Sequence, residues 1–372
     1  MKKLSLMKIG VDISQIVHSG SGVARFTDGL VNAILDNDTK NQWTFLFYSL
    51  RQSFPSILTN AIKQHGHRLI KLPLPPTAVS ALWNNFHKFN IENLVGNLDW
   101  FISSDWVEPP SIIKKATIIH DLAYLRYPET IHPRILKTQT QRINWVKKES
   151  SIIFTDSLST KKDVVDLLMI NSNKINVNYP GLNPSNKITD YQEVLSKYKI
   201  RKPYILSVGK LEPRKNLKRL IEAYSSIKIK RPDLVIVGSK GWGNGINELI
   251  KSDDKVKLLG FLEDKELNAL YQQALFFIYP SIWEGFGYPI LEAMQNNTPV
   301  AVSNSSSLSE IAKNNALYFN PTSIQSIVKA IMELTNNSKL REDLKHRGFI
   351  HSQQFTWKKY YTNLISVLKN NL

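Results

Sequence analysis

A short apolar run that passes into a two-glycine loop and then a proline-started helix sets the limits on how this chain can fold. Leu275–Tyr279 has the unbroken hydrophobicity of a strand buried on both faces. In the loop that follows, Gly285 and Gly287 allow a tight turn and a close approach of ligand to backbone. Pro289 suits the first turn of a helix, where its missing N–H costs nothing. Strand, loop and helix start make an anion site, because free N–H groups and the helix dipole point outward there. Yet the stretch also carries two acids, Glu284 in the turn and Glu292 about one turn into the helix. Carboxylates in such a place suit another task, accepting hydrogen bonds from ligand hydroxyls such as those of a sugar.

The same strand–loop–helix unit recurs along the chain. It begins with a strand at Lys8–Ile13, a loop holding His18, Gly20 and Gly22, and an amphipathic helix from about Val23 to Leu35. The dinucleotide fingerprint is broken here, since Arg25 stands where its third glycine belongs, which argues against nicotinamide. Further strands are expected at Trp43–Tyr48, Arg68–Leu72, Trp100–Ser103 and Ala116–His120. Turn chemistry at Asn178–Pro184 and a polar stretch up to Arg201 mark a domain boundary. A second half then opens with a strand at Pro203–Gly209, a loop at Lys210–Lys215 and Asn216 as N-cap. Its helix carries an apolar stripe of Leu217, Leu220, Ile221 and Tyr224. Strands at Leu234–Val237, Val256–Leu259, Phe276–Tyr279 and Val300–Ser303 follow, and Phe355–Leu372 reads as a closing helix. The alternation predicts an α/β fold of two Rossmann-like domains with parallel sheets. The domains are expected at residues 1–185 and 186–355, with a C-terminal helix at 356–372.

Composition narrows the function classes. With 42% hydrophobic and 21% charged residues, the 372-residue chain is globular and long enough for two domains. No apolar run reaches transmembrane length, and the leader-like Met1–Lys8 leads straight into a strand edged by Asp12. Zero cysteines exclude disulfides and thiolate metal sites, and the cytoplasm is the expected compartment. The net charge of +17 suits anionic lipid, nucleic acid or phosphorylated substrates alike. No dense cationic block is present, which argues against a nucleic-acid partner.

Several residues stand out as candidates. Arg214 and Lys215 would sit at a helix N-terminus, adding side-chain cations to the dipole in a way that suits a diphosphate. His120 and Asp121 end a buried-strand run, where open α/β sheets bind ligands; a hydrogen-bonded histidine at a loop start is the competing reading. Leu82–Phe89 and Arg134–Lys148, the latter with Arg142, Trp145, Lys147 and Lys148, form aromatic and basic stretches. They read either as a dock for anionic lipid or as helices with one core face. Asp36-Asn37-Asp38 has the form of a metal-binding Asp-x-Asp, but its place at a helix end favours a solvated terminus, and no metal is expected.

Val208–Leu217, Glu284–Glu292 and Asn297–Val300 together resemble the retaining glycosyltransferases of family 4. Gly20–Phe26, His120–Pro128 and Tyr179–Gly181 fit as well, and the likeness is strongest to bacterial mannosyltransferases of cell-surface polysaccharide synthesis. The resemblance implies the GT-B fold, with two Rossmann-like domains facing across a cleft and a final helix crossing back to the first. It implies that Glu284 holds donor-sugar hydroxyls with the amides of Gly285, Phe286 and Gly287, and that Glu292 holds the ribose. Arg214 and Lys215 would bind the diphosphate, Leu262 would touch the base through its backbone, and His120 would line the sugar pocket. Gly22 and Gly209 would let their loops approach the donor. No cofactor is implied beyond a nucleotide-sugar donor, GDP-mannose being favoured, with a glycan or lipid-linked saccharide as acceptor. The implied chemistry is a retaining, metal-independent transfer, in which preorganised cations stabilise charge on the leaving diphosphate. A sugar-nucleotide epimerase, a phosphorylase and a non-catalytic basic binding protein are the alternatives. A peripheral contact with the inner face of a membrane would go with the basic surface.

Overall fold

Every strand pairing among the described residues is parallel. The computed structural model describes residues 6–18, 20–103, 105–185, 188–241 and 245–372. The first five residues of the leader-like start and residue 186, the expected first residue of the second domain, lie outside them. The chain divides into an N-terminal unit, up to Gly181 with Thr356–Leu372, and a C-terminal unit, Leu182–Phe355.

In the N-terminal unit the strands are β1 (Lys8–Asp12), β2 (Gln42–Tyr48), β3 (Arg68–Leu72), β4 (Trp100–Ser103), β5 (Lys114–Ile119), β6 (Ser150–Thr155) and β7 (Ile175–Val177). They form one sheet in the order β3-β2-β1-β4-β5-β6-β7. Its middle is apolar on both faces, as a helix-covered parallel sheet requires: Ile9, Trp43, Trp100, Phe101 and Ile102 are fully buried. The order reverses between β1 and β4, the switch point at which loops diverge and leave a crevice. The last helix, Trp357–Asn370, packs on the Gly22–Asn37 helix of this unit. A methyl group at Gly29 would come within 2.0 Å of the Trp357 ring, and one at Gly181 within 2.2 Å of the Trp357 backbone nitrogen, so both glycines are set by the close approach of that residue.

The C-terminal unit holds β8 (Tyr204–Val208), β9 (Asp233–Val237), β10 (Val256–Leu258), β11 (Phe276–Tyr279), β12 (Val300–Ser303) and β13 (Leu317–Phe319). Their order is β10-β9-β8-β11-β12-β13, with the switch point between β8 and β11. Phe276 pairs with Ile205 and Phe277 with Leu206, which sets the two loops that leave these strands side by side. Helices Leu217–Ser226, Asp264–Gln273 and Tyr288–Gln295 return the chain between strands. Leu217, Leu220, Ile221 and Tyr224 are buried as their spacing predicts.

Three expectations are corrected. Asn216 precedes its helix in a left-handed conformation (φ 57°) and makes no side-chain cap. Its amide instead donates to the carbonyls of Pro280 (3.0 Å) and Pro321 (2.8 Å), tying loops together. Asp38 is not solvated: it is buried and accepts from Asn41 (2.9 Å) and the Trp43 indole (2.6 Å). Arg142, counted with a basic surface, is buried and donates to Thr117 (2.8 Å) and to the Ile118 carbonyl (3.0 Å).

Candidate functional site

The loops that follow β8 and β11 meet at the C-terminal unit's switch point. Ile282 donates its N–H to the Arg214 carbonyl at 2.9 Å, fastening one loop to the other. The fastening brings three charged side chains together. Glu284 Oε1 lies 2.6 Å from Lys215 Nζ and its Oε2 lies 2.9 Å from Arg214 Nη1. The Tyr279 hydroxyl donates to Glu284 Oε1 at 2.8 Å and accepts from Lys215 at 2.9 Å, while Ser281 Oγ donates to the same carboxylate. Burial alone would raise the Glu284 carboxyl, but the adjacent Arg214 and Lys215 charges overcome it and hold the pKa down to about 2. Glu284 is thus an acceptor at any working pH, and the two cations are held in the geometry of a fork.

Gly285, Phe286 and Gly287 complete the loop, and all three are buried. Gly287 has φ 104°, and a methyl group there would also meet Leu308 at 2.8 Å, so glycine is required. The N–H groups of Phe286 and Gly287 have no protein acceptor among the described residues, at the start of the Tyr288–Gln295 helix. Glu292 lies on that helix, where the Tyr271 hydroxyl donates to it at 3.1 Å. At Gly209 a methyl group would make an ordinary 3.5 Å contact with Lys215. The tighter constraint falls on Gly238, where one would lie 1.9 Å from the Gly209 carbonyl. Leu262 buries its side chain in the core that also holds Phe286, which leaves its backbone as the available group.

A serine row that sequence reasoning passed over braces the loop. Ser306 accepts from the Glu284 N–H at 2.9 Å, and Ser307 donates to the carbonyls of Glu284 (2.8 Å) and Phe286 (3.0 Å). Ser306 has φ 49°, the left-handed region, so the row is bent to reach the loop. The run Asn304–Ser307 after the apolar β12 is the one signal that could have shown it.

In the N-terminal unit, acids occupy the carboxyl ends of four adjacent strands. Asp12 ends β1, Asp105 follows β4, His120 and Asp121 follow β5, and Asp156 follows β6. His120 Nδ1 lies 2.6 Å from Asp156 Oδ2, and the Phe26 ring meets the imidazole edge-on at 4.6 Å. Burial alone would lower His120, but the Asp156, Asp105 and Asp121 carboxylates push it up to about 9, so the ring is cationic at neutral pH. Two buried polar atoms at this end, the Tyr124 hydroxyl and Gln15 Oε1, have no hydrogen-bond partner among the described residues. Gly22 is exposed and opens the Gly22–Asn37 helix, which Ser21 caps by accepting from the Ala24 N–H at 3.1 Å. Among the described residues, no group of three or more His, Asp or Glu is placed to hold a metal ion. No helix among them is long and apolar enough to cross a membrane.

Two Rossmann-like parallel-sheet units, each with a polar site at its switch point, define the GT-B class of fold. Sucrose-phosphate synthase from Thermosynechococcus elongatus shares it, with a TM-score of 0.76, 15% identity and 98% of each chain covered. So does Anabaena HepE in complex with UDP and glucose (TM-score 0.70, 15% identity, 98% of this chain and 100% of that one). The family described as glycosyl transferases group 1 matches residues 190–351, most of the C-terminal unit. Among curated proteins, O-antigen chain mannosyltransferase B of Escherichia coli is 28% identical over 283 residues, 70% of this chain and 71% of that protein. For two further relatives the matched share of their own length falls to 63% and 28%.

Proposed function

We propose that the chain transfers a hexose, mannose by preference, from a nucleotide-diphosphate sugar to a glycan or lipid-linked saccharide in cell-surface polysaccharide synthesis. The observation that carries this reading is the knot of Arg214, Lys215 and Glu284 beside the amides of Phe286 and Gly287. Two fixed cations suit a diphosphate, and a buried carboxylate held ionised suits sugar hydroxyls. As the glycosidic bond to the diphosphate breaks, negative charge grows on its oxygens, where cations already in place are worth most. The donor's anomeric configuration is retained, the acceptor's proton passes to a donor phosphate oxygen, and no metal takes part. Glu292 holds the ribose and the Leu262 backbone holds the base. The acceptor's hydroxylated end binds the acid-rich crevice of the N-terminal unit, whose Asp12, Asp105 and Asp121 repel phosphate but accept from hydroxyls.

GDP-mannose is the favoured donor. Thermal-shift measurements across GDP-, UDP- and dTDP-sugars test it: stabilisation by GDP-mannose is expected, and preference for another nucleotide overturns the choice. Loss of every nucleotide's effect in Arg214→Ala is expected; an unchanged shift removes the site.

Membrane contact belongs to the same proposal. Phe86 and Phe89 are 69% and 46% exposed, with exposed Lys88 between them and Lys148 placed 4.7 Å over the half-buried Trp145 ring. Apolar rings among lysines suit an anionic bilayer surface. Co-sedimentation with phosphatidylglycerol vesicles, lost in a Phe86→Ser, Phe89→Ser double variant, is the expected result; equal binding to neutral vesicles contradicts it.

A further inference from the structure

The amino-terminal ends of the C-terminal sheet frame a second recess of about 920 Å³. Its floor is the chain entering β8, β11 and β12 at Pro203, Leu275 and Pro299, and its wall is the Ser338–Ser352 helix. Because the strands are parallel, this mouth lies at the opposite edge from Gly209 and Glu284, which leave the carboxyl ends of β8 and β11. The four residues of β11 alone put ~13 Å of strand between them. The recess is therefore not part of the transfer site.

Its polar groups divide into those already engaged and those left over. Asn296 accepts from Ser185 (2.6 Å) and Gln272 (2.9 Å) and donates to Asn268 (3.2 Å) and the Glu292 carbonyl (2.9 Å). Lys202 donates to Gln273 Oε1 at 2.7 Å, and Arg341 is taken up by the Leu334 and Thr335 carbonyls (2.6 and 2.9 Å). The side-chain amides of Gln295 and Asn297 have no protein partner among the described residues, and neither has the Gln273 NH2 group. Beside them the Phe349 ring is 38% exposed.

The charges do not make this an anion trap. Helices Asp264–Gln273 and Tyr288–Gln295 both end here, bringing the negative ends of two dipoles. Lys202, Arg341 and Lys345 answer those dipole ends, and Glu342 lies 3.6 Å from Lys345. The groups left without a protein partner among the described residues are amides that both donate and accept, next to an apolar ring face. Ring hydroxyls need such donors and acceptors, and the C–H face of a pyranose needs an apolar surface.

We propose that this recess is a second saccharide site, taking an uncharged pyranose of a longer glycan away from the transfer site. It rests on the transferase reading only for the glycan's source, the polymer being extended. The Tyr288–Gln295 helix spans both places, with Gly287 at its start and Gln295 at its end.

The test is calorimetric titration of the full chain with mannotriose, maltotriose, a uronic-acid trisaccharide and inorganic phosphate. Asn297→Gly removes one amide while keeping the left-handed backbone (φ 57°) that Asn297 adopts, and Phe349→Ala removes the platform. Neutral trisaccharide binding that weakens at least tenfold in both variants, with melting temperature and nucleotide-sugar binding unchanged, is the expected result. No trisaccharide binding, binding indifferent to both variants, or tighter binding of phosphate or uronate overturns the proposal. Failure of the donor reading shows separately, as absent nucleotide-sugar binding in the unaltered chain.

Discussion

Lys215 and Glu284 touch at 2.6 Å across two different loops, one leaving β8 and the other leaving β11. Neither loop could hold its charge in this place alone, because each ion is largely withdrawn from water and depends on the other for compensation. The pairing of Phe277 with Leu206 in neighbouring strands sets the contact, so the meeting of these two charges is encoded in strand register.

Removing one cation tests the assignment. Arg214→Ala and Lys215→Ala are each expected to lower kcat/KM for transfer by 10²–10³-fold, about 3 kcal/mol of transition-state stabilisation, from the general worth of one preorganised donor. Both variants keep the parallel sheet, since the remaining cation still faces Glu284. Steady-state kinetics with circular dichroism decides: near-normal turnover in a folded variant refutes the role.

The His120–Asp156 pair gives a pH signature of known sign. Its folded pKa is up at about 9 against an ordinary 6.5, so its stabilisation is complete below 6.5 and is lost as pH rises through 9. The loss amounts to about 3 kcal/mol at 1.36 kcal/mol per pKa unit. Melting of the unaltered protein should fall between pH 6.5 and 9 more steeply than that of His120→Gln. Parallel curves for the two proteins would count against a cationic His120.

Legibility of the fold followed the contrast between neighbouring segments. Arg68–Leu72, Trp100–Ser103, Phe276–Tyr279 and Val300–Ser303 coincide with observed strands; the last three are apolar runs, and Arg68–Leu72 shows itself by its place between His67 and Pro73. Ser150–Thr155 escaped detection because the Pro133–Glu149 helix runs into it with no turn residue between. The edge strands Ile175–Val177 and Leu317–Phe319 are too short, at three residues each, to show a period. At the site, Glu284, Arg214 and Lys215 were legible because glycine and proline mark their loops. The bracing by Ser306 and Ser307 was not, since the turn-forming run Asn304–Ser307 announces a bend but not which loop the bend reaches.

Packing of the last helix rests on one close approach. Gly29→Ala would place a methyl group 2.0 Å from the Trp357 ring, and backbone cannot yield that much without displacing the Trp357–Asn370 helix. Overpacking of this kind costs roughly 1–3 kcal/mol or more. Chemical denaturation should show the loss for Gly29→Ala. Trp357→Ala in the same background should recover part of it, and strictly additive effects would disprove the contact as the cause.

Tyr124 offers a sharper separation of fold from function. Its hydroxyl is buried without a partner among the described residues, a state that costs a protein about 1–3 kcal/mol. Tyr124→Phe should therefore leave the melting temperature equal or higher, since only the unmatched oxygen is removed. If that hydroxyl is kept to bond an acceptor, the same variant raises the acceptor KM severalfold and leaves nucleotide-sugar binding alone. Asp105→Asn is expected to act in the same direction, because burial that pushes its carboxyl up makes it a strong acceptor once ionised. Acceptor and donor kinetics measured separately on both variants decide the matter: a change confined to donor binding, or none in acceptor KM, would remove this end of the N-terminal sheet from the reaction.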